Sequence, residues 1–139
     1  MRVLLDTNVL LDVLLRRGQW LAEAEAIWQA NTAGRLAACV TASSLTDIYY
    51  ISRRLGSEAV ARSAVRECLE RLELLAVDRE TLEHAYGYAT ADFEDAVQIA
   101  SAVRNALDAI VTRDTGGFAD SPIAVISPTE LANRLQSEA

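Results

Sequence analysis

Short apolar runs alternate with longer stretches of mixed polarity along the whole chain. The apolar runs are too short for buried helices and predict strands at residues 2–5, 36–40, 74–77, 109–112 and 123–126. The stretches between them repeat apolar residues at helical spacing, and capping residues or glycines mark their ends. They predict helices at residues 9–16, 20–32, 58–72, 79–88, 92–107 and 128–135, and one more between a cap at 41–44 and a break at 56–57.

Strands separated by helices require crossover connections, and these connect parallel strands. The pattern therefore predicts an α/β fold, a three-layer α/β/α sandwich with a mostly parallel five-stranded sheet. No repeat, low-complexity tract or linker interrupts the sequence, so we expect a single domain over residues 1–139. Ligands of such sheets bind beyond the carboxyl ends of the strands, which makes the residues there the candidates for function.

Composition narrows the class of protein. Apolar residues make up 51% of the chain and charged residues 24%, as is typical of globular domains. No apolar run approaches the ~20 residues that cross a bilayer, and polar residues interrupt the N-terminus too often for a signal peptide. Cys39 and Cys68 stand alone and indicate neither a disulfide framework nor a zinc site, so we expect a protein of the reducing cytoplasm.

The charge pattern excludes several kinds of chemistry. All 13 basic residues are arginine, and the net charge is −7. Without lysine, the chain can form neither a Schiff base nor a P-loop. Phosphatases of the haloacid-dehalogenase type and receiver domains also need a lysine, and flap nucleases need basic DNA-binding elements that are not visible here. The acidic balance disfavours loose, charge-driven binding of nucleic acid, but a metal ion could still meet phosphates.

Aspartates lie at or near the predicted strand ends. Asp6 ends the first strand, Asp114 follows the fourth, and Asp47 lies one turn into the helix after the second. Asp92 and Asp95 share a face in the first turn of the helix before the fourth strand. Asp6, Asp92 and Asp114 could each be a helix cap or a turn residue. Asp47 and Asp95 are harder to explain in this way, because aspartate is a poor helix-interior residue and apolar residues of the buried side follow both. Together these aspartates form a set of carboxylates that a hard divalent cation, Mg²⁺ or Mn²⁺, would stabilise.

Such a site suits phosphodiester hydrolysis. A divalent ion held by carboxylates can bind a phosphate and activate water without histidine or lysine. Thr7, Asn8 and Thr112 could orient waters or phosphate oxygens by hydrogen bonds, whereas the single histidine, His84, is interpreted as structural. The residues alone therefore predict a hydrolase whose metal ligands are all aspartates.

Four segments resemble, in order and spacing, the four motifs of the PIN-domain family: LLDTNVLLD, SSLTDIYYI, DFEDAVQIASA and IVTRD. The match is best to the branch of small bacterial proteins related to VapC-type toxins. The resemblance implies a Mg²⁺- or Mn²⁺-dependent ribonuclease, as the toxin of a toxin–antitoxin pair. It implies an acidic quartet of Asp6, Asp47, Asp95 and Asp114, of which Asp6, Asp95 and Asp114 are metal ligands and Asp92 is accessory. It also implies a homodimer and an antitoxin partner.

The chain departs from the family pattern at two positions. The second motif usually carries Glu where this chain has the shorter Asp47, and relatives often have Asp where Gly117 precedes Phe118. These departures bear on the catalytic rate. The alternative hypothesis is therefore a PIN-like scaffold or binding protein with weak or no nuclease activity.

An acidic ribonuclease needs basic groups at the rim of its site. Arg113 beside Asp114 and the pair Arg53–Arg54 are the predicted RNA contacts, because arginine suits bidentate phosphate binding. The pair at residues 16–17 is a further candidate, and for both pairs simple solvation at the surface explains the charge equally well. The large aromatic residues of the first half, at helical spacing, favour a core role or a protein interface over base stacking; they are Trp20, Trp28, Tyr49 and Tyr50.

Overall fold

A computed structural model describes residues 1–89 and 92–138. A five-stranded sheet has the order β3-β2-β1-β4-β5, and every strand pair in it is parallel. The strands are β1 (Arg2–Leu5), β2 (Ala37–Thr41), β3 (Glu73–Leu75), β4 (Ala109–Val111) and β5 (Ala124–Ile126). The helices are α1 (Thr7–Leu14), α2 (Leu21–Thr32), α3 (Ala42–Leu55), α4 (Glu58–Arg71), α5 (Arg79–Tyr86), α6 (Phe93–Arg104) and α7 (Pro128–Ser137), and a short 3₁₀ helix covers Thr115–Phe118.

Alternation along the strands divides the core between the two faces of the sheet. Val3 and Leu5 of β1 pack with buried residues of α1, α2, α3, α4 and α7 on one face. Leu4, between them, packs with α6 and with Phe118 on the other. Helix α5 packs onto α6 through Ala85. The predicted α/β class, the helices on both faces and the five strands are therefore confirmed, and the sheet is wholly parallel rather than mostly so.

Helix caps explain where the predicted bounds were wrong. Helix α1 begins at Thr7, two residues earlier than predicted, because the Asp6 carboxylate accepts a hydrogen bond from the Thr7 amide and starts the helix directly after β1. The α3 and α7 caps at Thr41 and Ser127 agree with the sequence. The missed 3₁₀ helix begins at Thr115, and the Asp114 side chain caps it by accepting a hydrogen bond from the Gly117 amide.

Burial accounts for the two cysteines. Both thiols are free and buried, and burial raises the pKa of each to about 12. Both cysteines are core groups, as expected from the sequence.

The single histidine contacts another side chain of the same region. His84 Nε2 lies 3.1 Å from the Tyr88 hydroxyl, in hydrogen-bonding distance. No helix within residues 1–89 and 92–138 is long and apolar enough to cross a membrane.

The inner strand β4 generates a stability prediction. Ile110 is fully buried on the α6 face of the sheet. Truncation to Ala should lower the free energy of unfolding by about 2–5 kcal/mol, because it leaves a cavity. Urea unfolding measures the change. The matched control is Leu82→Ala on the exposed face of α5, where a change within about 0.5 kcal/mol is expected; equal losses would contradict the assignment of the core.

Candidate active site

The strand order places two chain segments side by side at the carboxyl edge of the sheet. Strand β1 lies at the centre, with β2 and β3 on one side and β4 and β5 on the other. The strand order therefore reverses between the adjacent strands β1 and β4. Ligand sites of α/β sheets form at such a point, beyond the carboxyl ends of the two strands. Asp6 follows β1 and Thr112–Asp114 follows β4. The amide of Asp6 donates to the Val111 carbonyl at 3.0 Å, so the ladder extends up to the site.

Asp6 is held from three directions. Its Oδ1 accepts hydrogen bonds from the Thr7 amide at 2.7 Å and from Gln98 Nε2 at 2.9 Å, and its Oδ2 accepts from Thr112 Oγ1 at 2.7 Å. Gln98 and Thr112 are both fully buried, and Asp6 itself is 7% exposed. Thr112 Oγ1 also accepts from the Asp114 amide at 3.0 Å. One hydroxyl therefore connects the Asp6 side chain to the backbone at Asp114.

Asp95 and Asp114 face a common space. A Cβ atom on Gly117 would lie 2.8 Å from Asp114 Oδ2 and 2.9 Å from Asp95 Oδ2, closer than real Cβ atoms approach. Only glycine at this position leaves room between the two carboxylates. The departure from the family pattern noted at Gly117 thus borders directly on the predicted ligands. An open cleft of about 420 Å³ surrounds this space, and Asp92 and Asp120 also line it.

Burial and neighbouring carboxylates raise the pKa of Asp95. Burial, and then the charges of Asp92, Asp6 and Asp114, raise the pKa of Asp95 from 3.8 to about 6. The first turn of α6 partly offsets this repulsion, because the positive end of the helix dipole favours anions there. Asp92 caps the same helix by accepting from the amides of Glu94 and Asp95. The predicted ligands thus form one electrostatically coupled group.

Asp47 lies beside an acid that sequence reasoning missed. The Glu94 carboxyl is within hydrogen-bonding reach of the Asp47 side chain, and Asp6 also acts on it through its charge. Burial first, then Asp47, raises the pKa of Glu94 to about 7. Glu94 directly precedes Asp95 in the chain. The Glu94 side chain is one methylene longer than that of Asp47, and its carboxylate lies beside the Asp47 carboxylate.

Two polar side chains beside Asp6 have oxygens without a hydrogen-bond partner within residues 1–89 and 92–138. They are Thr7 Oγ1 and Asn8 Oδ1, and both atoms are buried. Buried polar atoms are normally paired, so these oxygens are free to accept or direct a water or a ligand group. Thr7 and Asn8 thus lie where the sequence placed accessory groups.

The predicted RNA contacts are distributed over different parts of the surface. Arg113 forms an ion pair with buried Asp12, with Nε 2.9 Å from Oδ2, and its guanidinium lies 4.6 Å from the centre of the Trp20 ring. Arg53 and Arg54 are exposed in the last turn of α3, and within the described residues neither forms a salt bridge. Arg53 and Arg54 remain available to an anionic partner.

The donor set fits a hard divalent cation. All the groups are oxygens, and Gly117 leaves a space flanked by two of them. In the part of the chain that the structure describes, no salt bridge joins Asp6, Asp95 or Asp114 to an arginine. In the same part, no three acidic, thiol or imidazole side chains lie in an arrangement that could hold a metal ion by themselves. An ion here would therefore keep several water ligands, which is usual for Mg²⁺.

Some residues of the site carried little signal in the sequence. Glu94 lies in the segment at residues 92–95, which has three acidic residues and one aromatic residue. An exposed helix start is the simplest interpretation of such a segment. Gln98 follows Asp95 by three residues on α6, so helical spacing puts both on one face. A glutamine amid apolar residues at that spacing was a usable signal. Asp120 lies in the loop after the 3₁₀ helix, where no periodicity indicates its direction.

Comparison with known proteins identifies relatives of this arrangement. A family model described as PIN domain matches residues 2–116. Among curated proteins, none matches the chain.

Solved structures share the fold at low sequence identity. VapBC2 from Rickettsia felis, bound to a DNA fragment from its promoter, has a TM-score of 0.70 at 14% identity and covers 91% of this chain and 98% of its own. VapC20 from Mycobacterium tuberculosis, a sarcin–ricin loop cleaving toxin, has a TM-score of 0.71 at 14% identity over 88% and 96%. A toxin–antitoxin complex from Klebsiella pneumoniae has a TM-score of 0.67 at 23% identity over 91% and 97%.

The space at Gly117 generates a prediction about metal affinity. In Gly117→Ala the new Cβ forces the Asp95 or Asp114 carboxylate away, so Mn²⁺ affinity measured by calorimetry should fall by about ten-fold or more. Gly116→Ala is the matched control, because its Cβ would lie 3.8 Å from Asp114 Oδ1, an ordinary contact. If both variants bind Mn²⁺ equally well, the space between Asp95 and Asp114 is not the ion site.

The raised pKa values generate a prediction about pH. In EDTA, Asp95 and Glu94 hold their protons more tightly in the folded chain, so folding is favoured below the ordinary values of 3.8 and 4.5. That contribution is lost as the pH rises from these ordinary values to the raised ones, about 6 for Asp95 and about 7 for Glu94. Urea unfolding should therefore show a steeper loss of stability over this window in the wild type than in Asp95→Asn. Parallel pH profiles of the two proteins would show that Asp95 is not under this repulsion.

Proposed function

The chain belongs to the PIN-domain family, and from that premise we propose that it is a divalent-cation-dependent ribonuclease that hydrolyses RNA phosphodiester bonds. The observation that carries the proposal is the convergence of Asp95 Oδ2 and Asp114 Oδ2 on the space left by Gly117. Paired carboxylates flanking an open space, beside a third one fixed from three directions, suit an oxygen-coordinated cation and an anionic substrate.

The proposed roles follow from the contacts. Asp6, Asp95 and Asp114 hold Mg²⁺ or Mn²⁺, and Thr112 and Gln98 keep Asp6 oriented. Asp47 and Glu94 together form the remaining acidic corner. Asp92 fixes the start of α6 and thereby the direction of Asp95.

The cation, when bound, polarises a phosphate oxygen and lowers the pKa of a coordinated water. The protein contributes position and acceptors. Asp47 and Glu94 can accept a proton near the rim, and the unpaired oxygens of Thr7 and Asn8 can orient a water by accepting its hydrogen bonds. Hydrolysis in this site requires neither histidine nor lysine.

RNA, an antitoxin and a second copy of the chain are the proposed partners. RNA is supported by Arg53 and Arg54, which are exposed and form no salt bridge with any described residue, and by Arg113 next to Asp114. The antitoxin is supported by the likeness to toxin–antitoxin complexes. Exposed apolar side chains on the α3–α4 hairpin, Tyr50, Leu55 and Leu69, offer a surface for a protein partner or a homodimer.

Substitution at Asp95 tests the proposed activity. Purified protein with Mn²⁺ should cleave structured RNA, and Asp95→Asn should lower the rate by about 100-fold or more, since it removes a metal ligand without changing the shape of the side chain. Gel analysis of 5′-labelled RNA measures the rate. The control is Asp108→Asn at the opposite, amino edge of the sheet, where the amide oxygen can still accept from the Arg2 amide.

The same experiment separates the enzyme from the scaffold alternative. Cleavage that is equal in the wild type and Asp95→Asn would identify a contaminating nuclease. Absence of both cleavage and Mn²⁺ binding in calorimetry would favour the scaffold. Mn²⁺ binding without cleavage would overturn the nuclease and leave a PIN-like scaffold that binds the metal.

A further inference from the structure

A buried carboxylate next to the site is paired with two arginines. Asp12 lies on α1, about 9 Å along the helix axis from Asp6, and its side chain is 3% exposed. Arg17 Nε lies 3.2 Å from Asp12 Oδ1, and Arg113 Nε lies 2.9 Å from Asp12 Oδ2. Arg113 Nη2 also donates to Asp12 Oδ1 at 3.5 Å. The sequence gives Asp12 no obvious role, because it reads as one more residue of the first helix.

The cluster of Asp12, Arg17 and Arg113 differs in charge from the carboxylate rim, which consists of Asp6, Asp95 and Asp114. One arginine would neutralise Asp12, and the second leaves the group with a net positive charge in a chain of net charge −7. The two arginine side chains keep 35% and 25% of their surface exposed for Arg17 and Arg113. The buried carboxylate therefore holds guanidinium groups that still reach solvent.

The backbone is shaped to bring Arg17 to Asp12. The Arg17 amide donates to the Asp12 carbonyl at 2.9 Å, and the flanking residues Arg16 and Gly18 have φ values of 50° and 79°. A non-glycine residue at positive φ is strained, and strain of this kind is kept where a position matters. Gly18 lies next to Asp12 as well, since its Cβ would be 3.9 Å from Oδ1.

Arg113 is fixed on its other side by an aromatic ring. Its guanidinium carbon lies 4.6 Å from the centre of the Trp20 ring, a cation–π contact. Arg113 stands between Thr112, which contacts Asp6, and Asp114 of the carboxylate rim. An arginine held by both a carboxylate and a ring is already oriented before a ligand arrives, which lowers the entropy lost on binding.

We propose that Arg17 and Arg113, positioned by Asp12 and Trp20, form a phosphate subsite for the RNA backbone beside the scissile bond. The inference rests on the proposed ribonuclease function and adds the residues that fix the strand. A phosphate bound here lies one or two nucleotides from the carboxylate rim, given the ~9 Å along α1 from Asp6 to Asp12. Asp12 and Trp20 are positioning residues, and Arg17 and Arg113 touch the substrate.

Binding to an RNA probe in EDTA tests the subsite independently of cleavage. Fluorescence anisotropy with a labelled oligouridine of about 12 nucleotides should show about ten-fold weaker binding for Arg113→Gln and for Arg17→Gln. Each should also lower the slope of log affinity against log salt by about 0.7. Mn²⁺ affinity should stay within about two-fold, because neither arginine is a metal ligand. The control is Arg134→Gln on α7, which removes the same charge from a pair with Glu130.

Asp12→Asn separates positioning from net charge. The variant gains one positive charge, so a purely electrostatic cluster would bind RNA more tightly. We expect weaker binding instead, because the two arginines lose the group that orients them. If Asp12→Asn does not fold, Trp20→Leu serves in its place, since it removes the ring from Arg113 with no change of charge. Its binding should weaken by about three-fold.

The outcomes distinguish the subsite from the proposed function. Binding losses in Arg17→Gln and Arg113→Gln no larger than in Arg134→Gln would overturn the subsite even if the protein cleaves RNA. Arginine-dependent binding without Mn²⁺-dependent cleavage would keep the subsite and overturn the nuclease. In a protein that cleaves, a raised KM with little change in kcat for Arg17→Gln supports a binding role.

Discussion

Mutual repulsion among carboxylates is the constraint on which this site depends. A parallel sheet forces the carboxyl ends of its strands to one edge, and the reversal of strand order brings the residues after β1 and β4 into contact there. The chain places acids at those ends and at the first turn of α6. Within the described residues no salt bridge joins these acids to an arginine, and burial, followed by repulsion from neighbouring carboxylates, raises the pKa values of Asp95 and Glu94. The fold holds the acids together at a cost that a cation can offset.

The acidic side chains of the site and the arginines beside them form two separate groups, although they are neighbours in the fold. The acidic rim and the Asp12–Arg17–Arg113 cluster are connected by two adjacent residues, Arg113 and Asp114, whose side chains belong to different groups. Arg113 pairs with Asp12 and stacks on Trp20 instead of neutralising Asp114. The buried carboxylate on α1 therefore keeps the arginine charge near the site while leaving the predicted metal ligands unpaired.

The sequence predicts the position of a residue best where helical periodicity or the end of a strand alone determines that position. Asp6 follows β1 directly and Asp114 lies three residues after β4, so their approach at one edge of the sheet could be inferred from the order of elements alone. Side-chain partners across the fold could not. That Arg113 turns to Asp12, 101 residues away, depends on how α1 packs beside β4, and no local pattern encodes it. The meeting of Asp47 and Glu94 likewise depends on the relative placement of α3 and α6. Gly117 was noted only as a departure, because the oxygens that crowd it come from two separate segments.

The Thr112 hydroxyl has a consequence for how the site moves. It is fully buried, donates its only proton to Asp6 and accepts from the amide of Asp114. The direction of both bonds is fixed, because an amide cannot accept. The loop after β4 therefore cannot shift without breaking one of the two bonds. The side chain of residue 6 and the backbone of residue 114, separated by most of the chain, thus share one hydroxyl group, so the orientation of Asp6 and the path of the loop after β4 depend on each other.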